Sequence, residues 1–189
     1  MTPCVSVIVP AYNASLSLER AVTSVFESLS GYFDFEVIIV DDGSVDATQN
    51  VALLCQSVFG PDRVRLVRQE NAGVSAARNA GIKVARGRFL ALLDADDELT
   101  PAAGGLLSRA ISLDSYIVEF GYLLRKESGE VRQCFVSDVK PESTKLLICE
   151  EILLSSARNS KWYPWARLYR TELLLRRPFR EGFYFEDFE

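Results

Sequence analysis

The chain contains no histidine, and this absence excludes several kinds of chemistry. A Ser-His-Asp triad is impossible, and any general base has to be a carboxylate, a tyrosine, a lysine or a thiol. A zinc site is also not expected, because the 4 cysteines lie far apart and form no Cys-x-x-Cys pair. Cys4 and Cys55 lie in apolar stretches, as buried thiols do, and a reducing cytoplasm is the compartment that this pattern favours.

Three further features are missing. No apolar run is long enough to span a bilayer, and the first residues lack the basic and apolar segments of a signal peptide. Positive charge is not in excess: the formal net charge of −5 argues against a nucleic-acid partner. Neither Gly-x-Gly-x-x-Gly nor Gly-x-x-x-x-Gly-Lys-Ser/Thr occurs, so a bound nucleotide has to be held mainly by a metal and arginines.

What is present is an alternation of strand and helix. With 189 residues, 48% of them hydrophobic, the chain is long enough for one well-cored domain. Strands are predicted over 5–9, 35–40, 64–67 and 89–93, the third of them short, and the segments between them have helical periodicity. This predicts an α/β fold with a Rossmann-like, doubly wound, mostly parallel sheet. From about Thr100 the regular alternation of strand and helix ends, and a smaller mixed β/α second half is expected.

Several finer features are predicted as well. The second helix, capped by Asp46, is expected to bury an apolar face that contains Val51, Leu54, Cys55 and Val58. Later in the chain we predict a helix over 102–111, a strand over 116–120 whose continuation through 124 stays open, a hairpin turn over 127–130, a strand over 131–136 and a helix over 144–157.

Polar groups follow the first, second and fourth predicted strands, where each strand ends. They are Tyr12-Asn13, Asp41-Asp42 and the acidic side chains of 94–98. Because parallel strands end at one edge of a sheet, these groups can line a single crevice. Taken singly, the tyrosine can simply pack in the core, and the aspartate pair can simply form a turn with the glycine and serine that follow it.

The acidic stretch 94–98 has the composition of a divalent-cation site. Repulsion between carboxylates at the end of a buried strand is costly unless a positive charge lies among them. Carboxylate oxygens suit Mg²⁺ or Mn²⁺, and Mg²⁺ sites often share their ligands with substrate phosphates. The alternative is an acidic loop that only begins the next helix, since Thr100-Pro101 is a favourable pair at a helix start.

Four stretches, taken in order, resemble the family-2 glycosyltransferases of the GT-A fold. They are Val-Ser-Val-Ile-Val-Pro-Ala-Tyr-Asn (5–13), Val-Ile-Ile-Val-Asp-Asp-Gly-Ser-Val-Asp-Ala-Thr (37–48), Glu-Asn-Ala-Gly-Val-Ser-Ala-Ala-Arg-Asn-Ala-Gly (70–81) and Leu-Leu-Asp-Ala-Asp-Asp (92–97). The resemblance is close over roughly residues 1–110 and resumes at 164–170 and 180–187.

The resemblance implies which residues bind the donor. They are Pro10, Ala11, Tyr12, Asp41, Asp42, Asn71, Gly73, Arg78, Asp94 and Ala95. The residues at 10–12 are expected to flank uracil or another base, which donates a hydrogen bond to Asp41. The stretch 94–96 resembles the Asp-x-Asp signature, in which Asp94 faces the ribose or sugar and Asp96 coordinates Mn²⁺ or Mg²⁺ on the diphosphate. Asp97 is an alternative metal ligand.

The activity that the resemblance implies is transfer of a sugar, with inversion, from a nucleotide-diphosphate donor, expected to be UDP-linked. The acceptor is a hydroxyl of a sugar or lipid-linked molecule, in polysaccharide or cell-surface glycan synthesis. A metal stabilises the departing diphosphate, and a carboxylate on the opposite face of the sugar takes the acceptor proton. Glu186-Asp187 resembles the pair that supplies this base, with Asp187 the first choice. We expect Arg167 or Arg170 either to add positive charge near the phosphates or to lie in solvent.

We expect a single GT-A domain over 1–189, with a nucleotide-binding half over 1–98 and an acceptor-side half over 99–189. Many family members continue past the Glu-Asp pair, so we expect this sequence to be part of a longer, cytoplasmic protein at the inner face of the membrane. Two alternatives stay open. One is a non-catalytic domain that binds nucleotide sugars. The other is a sugar nucleotidyltransferase, which usually has a glycine-rich, basic loop after its first strand.

Overall fold

The computed structural model describes residues 2–114, 116–126, 128–135 and 164–182. The strands are β1 (Val5–Ala11), β2 (Phe35–Asp42), β3 (Val64–Gln69), β4 (Phe89–Leu92), β5 (Ile117–Glu119), β6 (Gly121–Arg125), β7 (Val131–Phe135) and β8 (Arg167–Arg170). The helices are α1 (Leu18–Leu29), α2 (Thr48–Phe59), α3 (Val74–Val84), α4 (Ala103–Ser112) and α5 (Thr171–Arg176).

A 6-stranded sheet with the order β3-β2-β1-β4-β8-β5 forms the centre of the molecule. Strands β1 to β4 are parallel, and β1 lies between β2 and β4, so that Val5 is in register with both Phe35 and Phe89. β8 is antiparallel to β4 and to β5, and β6 with β7 forms a separate hairpin. The predicted doubly wound, mostly parallel sheet with a mixed β/α second half is confirmed.

Successive strand residues point to opposite sides of the sheet, so both faces carry apolar side chains. Helices cover both of these faces. In β1, Val7 and Val9 pack on the side that carries apolar residues of α1, α2 and α4, whereas Ile8 packs on the side of α3 and α5. α3 lies very close to β1: a Cβ added at Gly81 would stand 2.5 Å from Cγ2 of Ile8. A glycine on this face of α3 therefore permits the close packing of helix and sheet.

Some finer predictions are wrong. On α2, the predicted Cys55 is buried and Val51 packs against the core, but Leu54 is 50% and Val58 is 65% exposed. The buried residues of this helix are Thr48, Ala52 and Cys55. The apolar positions of this helix occupy two adjacent faces, and periodicity alone does not choose between them. The strand predicted over 116–120 is confirmed as β5, but it does not continue through 124, because β6 is a separate strand with a different partner. The helix predicted over 144–157 lies outside the described residues.

In the second half, the hairpin turn is confirmed by the backbone hydrogen bond from Lys126 to Glu130 and by the positive φ of Gly129. The thiols of Cys4, Cys55 and Cys134 are free. No helix within the described ranges is both long and apolar enough to cross a bilayer.

Candidate active site

The site is built at the carboxyl edge of the sheet, where β1 to β4 end. Ala11 at the end of β1 is in register with Asp41 of β2. On the other side of β1, the N–H of Leu93, just past β4, donates to the carbonyl of Ile8 (3.0 Å). Asp41 and the acidic stretch 94–98 therefore lie at the same edge, on either side of β1. Ligands of doubly wound sheets bind at this kind of point, where the strand order reverses.

Asp41 is fully buried, and one of its carboxylate oxygens has no hydrogen-bond donor. Oδ1 accepts a hydrogen bond from the backbone N–H of Ser44 (3.0 Å), while Oδ2 lies 3.5 Å from Nε of Arg68, too far for a good hydrogen bond. A buried acceptor without a donor costs free energy, so a ligand N–H or O–H that reached Oδ2 would be bound favourably.

Asp42, the next residue, has a different role. Its Oδ1 accepts hydrogen bonds from Gln69 Nε2 (2.7 Å) and the N–H of Ala72 (2.9 Å), and its Oδ2 accepts one from the N–H of Gly73 (2.8 Å). Both oxygens are engaged by protein donors, and two of these donors belong to the loop that opens α3. The carboxylate of Asp42 thus holds the loop that carries Asn71 and Gly73.

The turn after β2 contacts this same loop. Gly43 has a φ of 74°, and a Cβ at this position would stand 2.6 Å from the backbone N of Asn71. Only a glycine allows both the left-handed turn and the close approach of the two loops. Gly73, at the start of α3, also has a positive φ, of 89°.

Two hydrogen bonds join the turn after β1 to the turn after β2. The N–H of Asn13 donates to Ser44 Oγ (3.0 Å), and Asn13 Oδ1 accepts a hydrogen bond from the N–H of Val45 (3.0 Å). Tyr12, between this turn and β1, is 53% exposed, so its ring is not a core residue. The simple packing explanation for Tyr12 is therefore wrong, and the ring lies at the surface beside Asp41's strand.

The acidic stretch is attached to α3 and to α1. Arg78, a buried residue of α3, donates through Nη2 to Asp94 Oδ1 at 2.9 Å. Arg20 of α1 donates to the carbonyl of Asp96 (3.3 Å), and its Nε pairs with Glu98 (2.7 Å). Ala95 is buried between the carboxylates, and the side chain of Asp96 is exposed.

Negative charge is concentrated in this stretch. Partial burial, followed by the charges of Asp94 and Asp96, raises the pKa of Asp97 to about 6. The stretch is a loop that precedes α4, which begins at Ala103 after a turn in which the Thr100 carbonyl accepts the N–H of Ala103 (2.9 Å). A cation among these carboxylates would offset their repulsion.

A divalent cation at this stretch would need further ligands from a substrate. In the part of the chain that the structure describes, no group of three or more carboxylates or thiols lies close enough to hold a metal ion alone. Mg²⁺ is usually bound by one or two carboxylates together with substrate phosphates. Asp96 and Asp97 offer such oxygens, while one oxygen of Asp94 is occupied by Arg78.

The second half contributes a buried ion pair near the end of β4. Nε and Nη2 of Arg167 donate to Glu119 Oε2 at 3.1 and 3.0 Å, and both side chains are about 9% exposed. The solvated alternative is therefore wrong for Arg167. Arg170 lies at the opposite end of β8, paired with Phe89 at the start of β4, and forms an ion pair with Asp114. Arg170 is thus remote from the carboxyl edge. Glu186 and Asp187 lie outside the described residues.

Sequence reasoning missed two residues at this edge. Arg68, at the end of β3, stands beside Asp41 and donates to the carbonyl of Ser44 (3.3 Å). Asn79, next to Arg78, is buried in α3 and hydrogen-bonded to residues 179–181. An asparagine is unfavourable in a helix interior, and its presence among alanines was the available signal.

These features define a doubly wound α/β protein with acidic side chains grouped at the edge where the strand order reverses. Residues 6–131 match the model of Glycosyl transferase family 2, and the chain belongs to this family. It is 33% identical over 181 residues to the uncharacterised glycosyltransferase EpsJ of Bacillus subtilis, covering 93% of this chain and 50% of that protein. It is 32% identical to the uncharacterised glycosyltransferase YibD of Escherichia coli, covering 90% and 49%. The chain spans about half the length of these curated relatives.

The fold is also that of a solved glycosyltransferase structure. The crystal structure of Staphylococcus aureus TarS in complex with UDP-GlcNAc superposes with a TM-score of 0.72 and 25% identity, covering 94% of this chain and 48% of that chain. The expected assignment to the amino-terminal portion of a family-2, GT-A glycosyltransferase is confirmed.

Proposed function

We propose that the protein transfers a sugar from a UDP-linked donor to an acceptor hydroxyl, with inversion and with the help of Mn²⁺ or Mg²⁺. The observation that carries this proposal is the placement of the buried Asp41 and the acidic stretch 94–98 on either side of β1 at one edge of the sheet. It is supported by similarity to TarS, which was solved with UDP-GlcNAc.

The nucleotide base is proposed to bind beside Asp41. The imide N–H of uracil is a hydrogen-bond donor, and Asp41 Oδ2 is a buried acceptor without one. Pro10, Ala11 and the exposed ring of Tyr12 flank this position, and an exposed aromatic ring can stack on a base. Arg68 remains near Asp41 and balances its charge.

The rest of the nucleotide is proposed to contact the loop that opens α3. Asn71 and Gly73 present backbone and amide groups there, and Asp42 fixes the loop through its hydrogen bonds to the N–H groups of Ala72 and Gly73. In this account Asp42 supports the site and does not itself contact the donor.

The cation is proposed to lie between the diphosphate and the acidic stretch. Asp96 is the main ligand, with Asp97 or the second oxygen of Asp94 as a further one, and the first oxygen of Asp94 stays with Arg78. Asp94 and Ala95 then border the ribose or the sugar. When bound, the ion acts as a Lewis acid that stabilises negative charge on the departing diphosphate.

The chemical step is a single displacement. The acceptor oxygen forms a bond to the anomeric carbon while the bond from that carbon to the diphosphate oxygen breaks, and the acceptor proton passes to a carboxylate. Attack from the opposite face inverts the anomeric configuration. Asp187 is the proposed base, with Glu186 as its alternative, on the basis of the sequence resemblance.

Residues 1–98 are proposed to bind the donor and 99–189 to face the acceptor, a sugar or a lipid-linked molecule in polysaccharide or cell-surface glycan synthesis. We propose that the protein acts in the cytoplasm, with peripheral contact at the inner face of the membrane in the full-length protein.

The test is release of the nucleotide from a panel of UDP-, GDP- and dTDP-sugars, with Mn²⁺, Mg²⁺ or EDTA present and with candidate acceptors added. We expect UDP release that depends on the cation and increases with an acceptor. Metal-dependent UDP binding without any release would instead favour a binding domain. Formation of a nucleotide sugar from a nucleoside triphosphate and a sugar phosphate would favour a nucleotidyltransferase.

The base is tested by Asp187→Asn. Because amides do not accept protons at neutral pH, we expect transfer to fall by roughly 10²- to 10⁴-fold while the Kd for UDP stays unchanged. Glu186→Gln is the matched comparison that decides between the two carboxylates. A near-normal rate in both variants would place the base elsewhere.

A further inference from the structure

Arg68 and Asp41 place a hydrogen-bond donor and a hydrogen-bond acceptor side by side at the carboxyl edge of the sheet. The two residues are register partners in the pairing of β2 with β3, and Nε of Arg68 lies 3.5 Å from Oδ2 of Asp41. This separation is too long for a good hydrogen bond. Oδ2 has no donor, and the Arg68 guanidinium donates hydrogen bonds only through Nη1 and Nη2 to the described residues. The acceptor and the Nε donor are therefore both available to a ligand.

We propose that Arg68 is a specificity-determining residue that recognises the nucleotide base together with Asp41. Oδ2 of Asp41 accepts the imide N–H of uracil, and Nε of Arg68 donates to one of the two carbonyls that flank this N–H. The inference rests on the proposed function, because it requires the base to bind beside Asp41. It assigns Arg68 a direct contact with the donor in addition to the balance of charge.

Contacts with two other elements hold the guanidinium of Arg68 in this position. Nη1 donates to Oε1 of Gln49 in α2, and Nη2 donates to the carbonyl of Ser44 in the turn after β2 (3.3 Å). A guanidinium is planar and rigid, so fixing two of its nitrogens also fixes the direction of the third. Nε is thereby kept on the side of Asp41, ready to donate without rearrangement of the side chain.

The two members of the pair differ in their exposure. Asp41 is fully buried, whereas 47% of the Arg68 side chain is exposed. A ligand that approaches from solvent therefore meets Arg68 first, and a base edge that reaches Oδ2 passes beside Nε. Leaving the buried acceptor without a donor costs free energy, which favours a ligand that supplies an N–H there.

The hydrogen-bonding edge of uracil matches this pair better than the edge of cytosine does. Uracil presents an N–H between two carbonyl acceptors. Cytosine, held by the same ribose, presents an acceptor nitrogen in place of the N–H and an amino donor in place of O4. Cytosine would therefore oppose an acceptor to Asp41 and, at the O4 position, a donor to Arg68. We expect CDP to bind at least roughly tenfold more weakly than UDP.

The experiment combines Arg68→Met with analogues of UDP in which sulfur, a weaker acceptor, replaces one carbonyl oxygen. The Kd values of UDP, 4-thio-UDP and 2-thio-UDP are measured by calorimetry for both proteins. In the wild type, the thio substitution at the carbonyl that Arg68 contacts should raise the Kd by roughly threefold or more. In Arg68→Met the same substitution should change the Kd by less than about 1.5-fold, because the donor is gone.

Arg65→Met is the matched control. Arg65 also belongs to β3, and its Nη1 lies 3.6 Å from a carboxylate oxygen of the buried Glu36 in β2. Both oxygens of Glu36 already accept hydrogen bonds, from Ser6 and from Arg86. This second pair of an arginine and a buried carboxylate therefore offers no free acceptor, and Arg65→Met should keep the full response to the thio substitution.

Arg68→Lys separates recognition of the base from the balance of charge. Lysine keeps the positive charge on β3 but has a methylene group at the position of Nε. We expect Arg68→Lys to lose the response to the thio substitution, as Arg68→Met does. A response equal to that of the wild type would mean that the charge alone matters. If Arg68→Met does not fold, Arg68→Lys provides the comparison in its place.

N3-methyl-UDP, which has no imide N–H, separates this inference from the proposed function. Its binding to the wild type should be at least roughly tenfold weaker than that of UDP. Equal binding of the two, or no binding of UDP, would overturn the placement of the base at Asp41 and the role of Arg68 together. Weaker binding of N3-methyl-UDP, with the same thio responses in the wild type and in Arg68→Met, would overturn the role of Arg68 alone. Loss of the thio response in Arg65→Met would also overturn it.

Discussion

Asp41 and Asp42 are adjacent acidic residues at the end of one buried strand, yet the hydrogen bonds that their carboxylates accept differ. Successive residues of a strand point to opposite faces, so one carboxylate meets the loop that opens α3 and the other does not. Asp42 accepts three hydrogen bonds from the protein, whereas Asp41 keeps one buried oxygen without a donor. The sequence predicted a site at the pair, but the difference between the two carboxylates depends on donors from distant parts of the chain.

For Asp41 we predict that Asp41→Asn weakens UDP binding by roughly 10- to 100-fold, since a hydrogen bond to a charged group contributes about 1.5–3 kcal/mol. The asparagine oxygen still accepts the Ser44 N–H, so the melting temperature should change little. Titration calorimetry with UDP measures the effect, and Asp62→Asn, an exposed residue at the opposite edge, is the control. An affinity within twofold of wild type would show that the base binds elsewhere.

The raised pKa of Asp97 predicts how the stability of the protein depends on pH. Its pKa is raised from 3.8 to about 6, so between these values the folded protein binds the proton more tightly than the unfolded chain does. Stability should therefore fall as the pH rises from 3.8 to about 6, and Asp97→Asn should remove that part of the fall. Melting temperatures of both proteins, measured without metal from pH 4 to 7, provide the test. Parallel curves would mean that Asp97 titrates normally.

At the scale of elements, the turn after β2 depends on Gly43. We predict that Gly43→Ala destabilises the protein by about 2–4 kcal/mol, because it combines left-handed strain with a clash against the loop at Asn71. UDP affinity should fall with it, since the displaced loop is part of the proposed nucleotide site. Denaturant unfolding and UDP titration of the variant measure the two effects.

Gly60 provides a matched control for this prediction. It also has a positive φ (94°), but a Cβ there meets nothing within 4 Å. Gly60→Ala should therefore cost only the strain of the left-handed conformation, about 1–2 kcal/mol, and leave UDP binding unchanged. Equal losses of stability in the two variants would mean that the loop at Asn71 does not exclude a Cβ at position 43.

The elements themselves were largely predictable. Three of the four parallel strands, β1, β2 and β4, are buried on both faces, and β3 at the edge of the sheet is only partly buried. The order of the strands along the chain follows from their alternation with amphipathic helices. The buried face of α2 was predicted only in part: Cys55 is buried, but Leu54 and Val58, which have the hydrophobicity of core residues, are exposed. The insertion of β8 beside β4 was not predictable, since this pairing joins Phe89 to Arg170 across most of the second half.

For the whole molecule, the sheet brings together groups that are distant in sequence. The turns after β1 and β2, the loop before α3 and the stretch after β4 meet at one edge, and α3 connects that edge to the segment 179–181. The family motifs indicated most of these groups, but they gave no reason for Asn79 or Arg68. The roles of those two residues come from contacts between elements, which a single sequence does not contain.

The measurement that tests the central claim most directly is calorimetric titration of UDP with and without Mn²⁺, for the wild type and for Asp96→Asn. If carboxylates at the end of β4 bind a cation on the diphosphate of a nucleotide held by Asp41, Mn²⁺ should raise the wild-type affinity by at least about tenfold. In Asp96→Asn, Mn²⁺ should have little effect, with the melting temperature unchanged. Mn²⁺-dependent affinity that survives in Asp96→Asn would contradict the assignment of the metal ligand, and absence of UDP binding by the wild type would contradict the account as a whole.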